Sequence, residues 1–238
     1  PKERCSNELG AYWMNKVLVV VAHADDEVLG CGGAISRHIS LGDEVTIIFM
    51  TNGVGSRHDN KDEIERRQTA ATLALKKLGV TTFHQFDFPD NQMDSIPLLT
   101  FVQAIEGVLN SIKPSIIYTH FLHDLNVDHQ VTNKAVMTAC RPQAQSTVRK
   151  VLSFEILSST EWNSPSVFSF TPQYIVDISK EWSKKLSALK CYNEEMRSFP
   201  HSRSYEAVEA LAILRGATNG FEKAEAFFVE RILVSRDF

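Results

Sequence analysis

The sequence predicts an α/β protein built on a mostly parallel sheet, and three observations carry that prediction. Branched apolar runs at residues 17–21, 44–51 and 115–119 read as strands buried on both faces, as in parallel sheets. Helical stretches with apolar residues at a 3.6-residue period separate them. Two of the runs stop abruptly in clusters of ionisable residues, and in open α/β sheets ligands bind beyond the carboxyl ends of the strands.

Bulk properties narrow the class further. The chain has 238 residues, 43% hydrophobic and 23% charged, the profile of a globular protein and of one domain over residues 1–238. A net charge of −4 leaves no basic footprint for nucleic acid. Cys5, Cys31, Cys140 and Cys191 are scattered without a C-x-x-C pair, which speaks against a cysteine metal site or a disulfide framework. The expected location is therefore a reducing cytoplasm. Residues 1–7 lack the apolar core of a signal peptide, and no transmembrane segment is expected, since no apolar run approaches the roughly 20 residues a spanning helix needs. No heptad or exposed stripe announces an interface, and the sequence is compatible with a homo-oligomer.

The first strand, 17–21, runs into Ala22-His23-Ala24-Asp25-Asp26-Glu27. An acidic turn after a strand often does no more than cap the next helix. Here a histidine stands with two adjacent aspartates, and neighbouring buried carboxylates repel unless a cation compensates them. Residues 28–41 then read as a helix closed by Gly42. The run Gly30-Cys31-Gly32-Gly33 invites a dinucleotide reading, but it matches G-x-G-x-x-G poorly. The strand over 44–51 also ends without an acid for a ribose hydroxyl.

A loop marked by Asn52-Gly53 and Gly55 leads to a helix over 62–78, closed by Gly79. Arg66 and Arg67 near its start are unfavourable for the helix dipole; they are either solvated or directed at an anionic or hydroxylated ligand. A short strand over 81–88 ends in the turn Pro89-Asp90-Asn91. Ser95 is expected to cap a helix running to Ile112, with Pro97 in its first turn and Lys113-Pro114 ending it. The strand over 115–119 opens onto His120, His123, Asp124, Asp128 and His129, the second ionisable cluster.

A helix over 131–140 and a strand over 151–157 follow. The long loop 158–172 carries Trp162, Phe168 and Phe170, which form either a substrate wall or core anchors. Residues 174–178 read as a strand, and 181–198 as a helix with Trp182, Leu186, Leu189 and Met196 on its core stripe. Ser204 caps a helix through Arg215, with Gly216 past its end, and 224–234 is a closing strand or helix.

His23, Asp26 and His129 together make a His-Asp-His set, and three protein ligands with an open position is how a catalytic zinc is held. Such a zinc lowers the pKa of bound water to about 7. Asp25 is placed to take the water's proton, and Asp128 to orient a histidine or support Asp25. The same donor set accepts other divalent ions.

These residues carry a family resemblance. Ala22-His23-Ala24-Asp25-Asp26-Glu27 resembles the A-H-P-D-D-E signature of the LmbE-like, or PIG-L-type, zinc-dependent de-N-acetylases, and Asn126-Val127-Asp128-His129 resembles their H-P-D-H motif. Arg67, Phe88-Pro89-Asp90, the block Pro200-His201-Ser202-Arg203-Ser204, Arg215-Gly216 and Ala224-Glu225-Ala226-Phe227 are similar to further family features, so the likeness spans nearly the whole chain. The resemblance implies a Rossmann-like three-layer sandwich that hydrolyses an N-acetyl group from a GlcNAc-type amino-sugar conjugate. It implies zinc on His23, Asp26 and His129, Asp25 as general base, and Arg67 and Asp90 as substrate contacts. Two departures stand out: Ala24 replaces a proline, and Asn126 replaces a histidine placed to stabilise an oxyanion or supply a proton. An asparagine donates a hydrogen bond but is no acid. Asp25 is therefore expected to return the proton to the leaving amine, with His123 and His201 as alternatives near the substrate. The competing readings are a metal amidohydrolase for another acyl group and a non-catalytic metal- or sugar-binding module.

Overall fold

The computed structural model describes residues 4–7, 10–51, 61–164 and 166–234. Strands β1 (Arg4–Asn7) and β2 (Gly10–Trp13) pair in a separate antiparallel hairpin. The sequence reading did not anticipate it, because that stretch shows no apolar alternation. The rest of the chain alternates: β3 (Lys16–Val21), α1 (Asp26–Ser40), β4 (Glu44–Thr51), α2 (Lys61–Leu78), β5 (Thr82–Phe88), α3 (Leu98–Ile112), β6 (Ile116–His120), α4 (Val127–Ala139) and β7 (Lys150–Phe154). It finishes with β8 (Tyr174–Asp177), α5 (Trp182–Leu189), α6 (Tyr205–Ala217) and β9 (Ala224–Ile232).

Seven strands form one sheet in the order β5-β4-β3-β6-β7-β9-β8. The first five are parallel, and β9 enters antiparallel between β7 and β8. Side chains of β3 alternate between two cores, Val17, Val19 and Val21 on one face and Leu18 and Val20 on the other. The first core is completed by α1, α2 and α5, the second by α3 and α4, which gives three layers. For the site the decisive pairing is β3 with β6, Val17 opposite Ile116 and Val19 opposite Tyr118. Adjacent parallel strands place His23 and the cluster after β6 at one sheet edge, as the sequence requires if the two clusters are to meet.

Several boundaries differ for identifiable reasons. Ser95 does not cap α3: its hydroxyl donates to the Gln92 carbonyl in a short 3-10 turn, and the helix starts only after Pro97. The proline holds Ile96 extended (φ −111°, ψ 140°). Helix α4 begins four residues before the expected 131, because Asn126 caps it. Helix α5 stops at Leu189 rather than 198 and passes into a 3-10 turn over Lys190–Tyr192. Gly216 lies inside α6, where a Cβ would come within 2.8 Å of the Lys223 backbone, so it serves close packing rather than helix termination. The closing segment is a strand.

Helix α1 breaks at Cys31 (φ −148°, ψ 23°), and two buried side chains satisfy the broken turn. Glu225 accepts hydrogen bonds from the Gly33 and Ala34 amides at 2.8 and 2.7 Å. Lys185 donates to the Leu29 carbonyl at 2.9 Å and pairs with Glu225 at 2.7 Å. Gly30 and Gly33 let the helix press on the sheet layer, since a Cβ on either would collide with Phe154 or Ile178.

Candidate metal centre and active site

Three atoms from the two clusters converge at the sheet edge. His23 Nδ1 lies 3.2 Å from Asp26 Oδ2 and 3.3 Å from His129 Nε2, and His129 Nε2 lies 3.4 Å from Asp26 Oδ2. A tetrahedral ion with bonds of about 2.0–2.1 Å sets its ligand atoms about 3.3–3.4 Å apart. The triangle therefore has the edges of one face of such a tetrahedron.

The far nitrogens of both histidines meet carboxylates. His23 Nε2 is 3.1 Å from Asp128 Oδ2 and 3.1 Å from Asp90 Oδ1, and His129 Nδ1 is 3.1 Å from Asp124 Oδ1. A carboxylate behind a ligating imidazole fixes its orientation and raises its basicity. Backbone amides hold these carboxylates in turn: Asn91 and Met93 donate to Asp128 at 2.6 and 3.1 Å, and Asn126 donates to Asp124 at 2.9 Å. Ser159 and Thr160 also donate to Asp124.

The electrostatics ask for a cation. Burial works against the charged form of His129, yet Asp26 and Asp124 raise it to about 9, and neighbouring Asp128, Asp26 and Asp90 hold His23 well above its ordinary value. Burial would raise Asp26, but the charges of His129 and His120 and hydrogen bonds from His129 and His23 hold it well below the usual range. A bound metal would supply positive charge to these groups in exchange for their protons. His23, Asp26 and His129 fit a zinc-type ion in geometry, donor chemistry and charge.

His120 stacks on His129 with centroids 3.8 Å apart, and its Nε2 stands 3.4 Å from Asp26. That nitrogen already accepts the Ala22 amide at 2.9 Å, so it is not counted among the ligands. Burial, with the charge of His129, holds His120 well below the ordinary histidine value and keeps the ring neutral.

Asp25 takes φ 113°, ψ −29°, and its side chain meets Arg203, whose Nη1 donates to Oδ2 at 3.1 Å. Burial raises Asp25 to about 6, Arg203 pulls it down, and Asp26 pushes it up. Glu27, fully buried, is pushed up by desolvation to about 8, so it stays neutral beside its ionised neighbours. Asp25, the three-atom set, Arg67, Glu195, Asp90, Asn91, Asn126, Ser158, Ser159 and Arg203 line one cleft, and every one of these residues is polar.

Of the expected contacts, Arg67, Asp90 and Asn126 reach the cleft. Arg67 pairs with Glu195 at 2.6 Å, and its Nε is buried without a hydrogen-bond partner. Asn126 spends its side-chain oxygen on the amides of Asp128 (2.8 Å) and His129 (3.4 Å), while its nitrogen faces Asn91 Oδ1 at 3.3 Å. Asp128 is fully buried, 3.1 Å from His23 Nε2, and does not line the cleft. His123 and His201 do not line the cleft either. His123 stacks on Phe168, and His201 accepts the Arg203 amide and packs against Trp162. The loop aromatics divide: Phe170 packs on Phe121, whereas Trp162 and Phe168 are exposed. Sequence reasoning missed Arg203, Glu195 and the role of Asp124 as site residues; the Arg203 block was visible only as a resemblance. The loop at 52–60 lies outside the described residues.

A parallel α/β sheet with a buried His/Asp set open to a polar cleft at its carboxyl edge defines the class: an enzyme scaffold with a candidate metal centre. Within that class, the family model described as PIG-L: GlcNAc-PI de-N-acetylase matches residues 18–140, and the chain belongs to that family. It is 30% identical over 180 residues to the uncharacterized deacetylase YaiS of Escherichia coli (strain K12), covering 73% of this chain and 88% of the relative. It is 25% identical over 187 residues to 4-oxalmesaconate hydratase of Pseudomonas putida, covering 73% and 71%. N,N'-diacetylchitobiose deacetylase from Pyrococcus horikoshii shares the fold, with a TM-score of 0.73 at 18% identity over 91% of this chain and 84% of that one.

Proposed function

We propose that the chain is a zinc-dependent deacetylase that removes an N-acetyl group from a GlcNAc-type amino-sugar conjugate. The observation that carries this reading is the triangle of His23 Nδ1, Asp26 Oδ2 and His129 Nε2, with Asp25 beside it facing the same cleft. When bound there, zinc polarises a carbonyl and makes water acidic enough to deprotonate near neutral pH. Asp25 takes the proton of the attacking water and passes it to the leaving nitrogen. Arg203 holds its carboxylate in place for both transfers. Asp128 and Asp124 keep the imidazoles oriented. Asn126 has no proton to give, so its amide is confined to donating a hydrogen bond.

Arg67, Asp90 and Asn91 offer donors and acceptors for sugar hydroxyls. A long acyl chain needs an apolar wall, and the described lining has none, which favours acetyl over a larger acyl group.

The hydratase relative motivates a second reading, addition of water to a conjugated double bond. Acetate release from GlcNAc conjugates, run beside loss of 4-oxalmesaconate absorbance, decides between the two. Zinc-dependent acetate release supports the deacetylase; absorbance loss without acetate overturns it.

A further inference from the structure

Glu27 and Tyr192 have no place in the chemistry described above. Glu27 is fully buried, does not line the cleft and is not among the metal-facing residues. Tyr192 is 3% exposed and closes the 3-10 turn that ends α5 prematurely. Their hydrogen bonds form a chain directed at the base. The Tyr192 hydroxyl donates to Glu27 Oε1 at 2.7 Å, and the Asp25 amide donates to Glu27 Oε2 at 3.0 Å.

That amide belongs to a strained residue. A φ of 113° is uncommon for any residue with a Cβ, and such a conformation persists only where the surroundings enforce it. Three contacts enforce it here. The Asp25 carbonyl accepts the Val28 and Leu29 amides at 3.1 and 2.9 Å, Arg203 holds the carboxylate, and Glu27 holds the N–H. Two of these contacts are themselves anchored from separate elements, Arg203 by Ser158 at 2.8 Å and Glu27 by Tyr192 at 2.7 Å. Three residues beyond Tyr192 on the same turn, Glu195 grips Arg67 in the cleft.

We propose that Tyr192 and Glu27 are positioning residues for the proposed deacetylation: the Tyr192 hydroxyl locks the Glu27 carboxyl, which locks the Asp25 backbone so that its carboxylate faces the cleft. This rests on the reading of Asp25 as the base. A buried tyrosine–acid pair also serves packing, but a packing role does not require the second carboxyl oxygen to receive the amide of the base.

The test uses the zinc-loaded full chain and Tyr192→Phe, which removes one oxygen and keeps the ring. Tyr205→Phe, whose hydroxyl bonds Asn193 on the surface, is the control. The expected result for Tyr192→Phe is a kcat about tenfold lower, the scale of one lost hydrogen bond, at unchanged KM and zinc affinity. Exchange of the Asp25 amide, read by NMR, is faster by about the same factor. Glu27→Leu, which keeps the bulk and removes both oxygens, lowers kcat and speeds that exchange at least as much as Tyr192→Phe. A wild-type kcat in Tyr192→Phe, unchanged Asp25 exchange, or zinc affinity falling in step with kcat overturns the proposal. If the wild-type chain releases no acetate, the functional reading fails, and the exchange measurement still shows whether the pair holds Asp25.

Discussion

Arg203 Nη1 lies 3.1 Å from Asp25 Oδ2, joining a turn after the first central strand to the loop before α6. One side chain thereby fixes the direction of the proposed base and opposes the effect of burial on its proton affinity. The same arginine donates through Nε to Ser158 at 2.8 Å, so three segments of the cleft wall are held together.

The base must be ionised to accept a proton, and Asp25 is raised to about 6. The rate of the zinc-loaded enzyme therefore falls as pH falls through the Asp25 pKa, which a cation on the neighbouring ligands places below 6. Arg203 lowers the pKa, so Arg203→Met raises it and shifts the acid limb of the kcat profile to higher pH. A pH–rate series on the two proteins reads the sign directly.

Replacing Asp25 with Asn keeps the residue's shape and removes the base. Zinc binding by calorimetry stays at wild-type affinity, while turnover falls by about 10²–10⁴-fold, the usual worth of general base catalysis. Equal turnover would assign the proton to another group.

His129→Ala removes a corner of the triangle and abolishes stoichiometric zinc uptake, measured by elemental analysis after dialysis. Asp124→Asn keeps the ligands and loosens only the orientation of His129. Its zinc affinity drops by about 10–100-fold.

The Lys185–Glu225 pair is almost fully buried, with side chains 4% and 5% exposed. Lys185→Met strands a carboxylate there and costs about 3–5 kcal/mol in a denaturant titration. Gly30→Ala drives a Cβ to 2.2 Å from the Phe154 ring and costs about 1–3 kcal/mol.

The parallel sheet was legible because Val17, Val19, Ile47 and Ile117 leave no polar face on their strands. The convergence of His23, Asp26 and His129 was legible because His23 and Asp26 sit at the end of one such strand and His129 soon after another. What escaped depends on tertiary contact. The apolar period from Leu189 to Met196 reads as helix, yet the chain turns early and brings Tyr192 to Glu27. Asn126 reads as a weakened catalytic position, while the fold uses its carbonyl as a helix cap. Lys185 meets the Leu29 carbonyl only because α1 breaks at Cys31, a break that no local pattern announces. Arg203 lies 178 residues from Asp25, a distance over which no local pattern speaks.

The most direct test of the central claim is acetate release from a panel of GlcNAc conjugates by metal-depleted protein, before and after one equivalent of zinc. The account predicts no release before addition, release after it, and none at either stage for His129→Ala. Tight zinc binding by the wild-type chain with no acetate from any conjugate would contradict it.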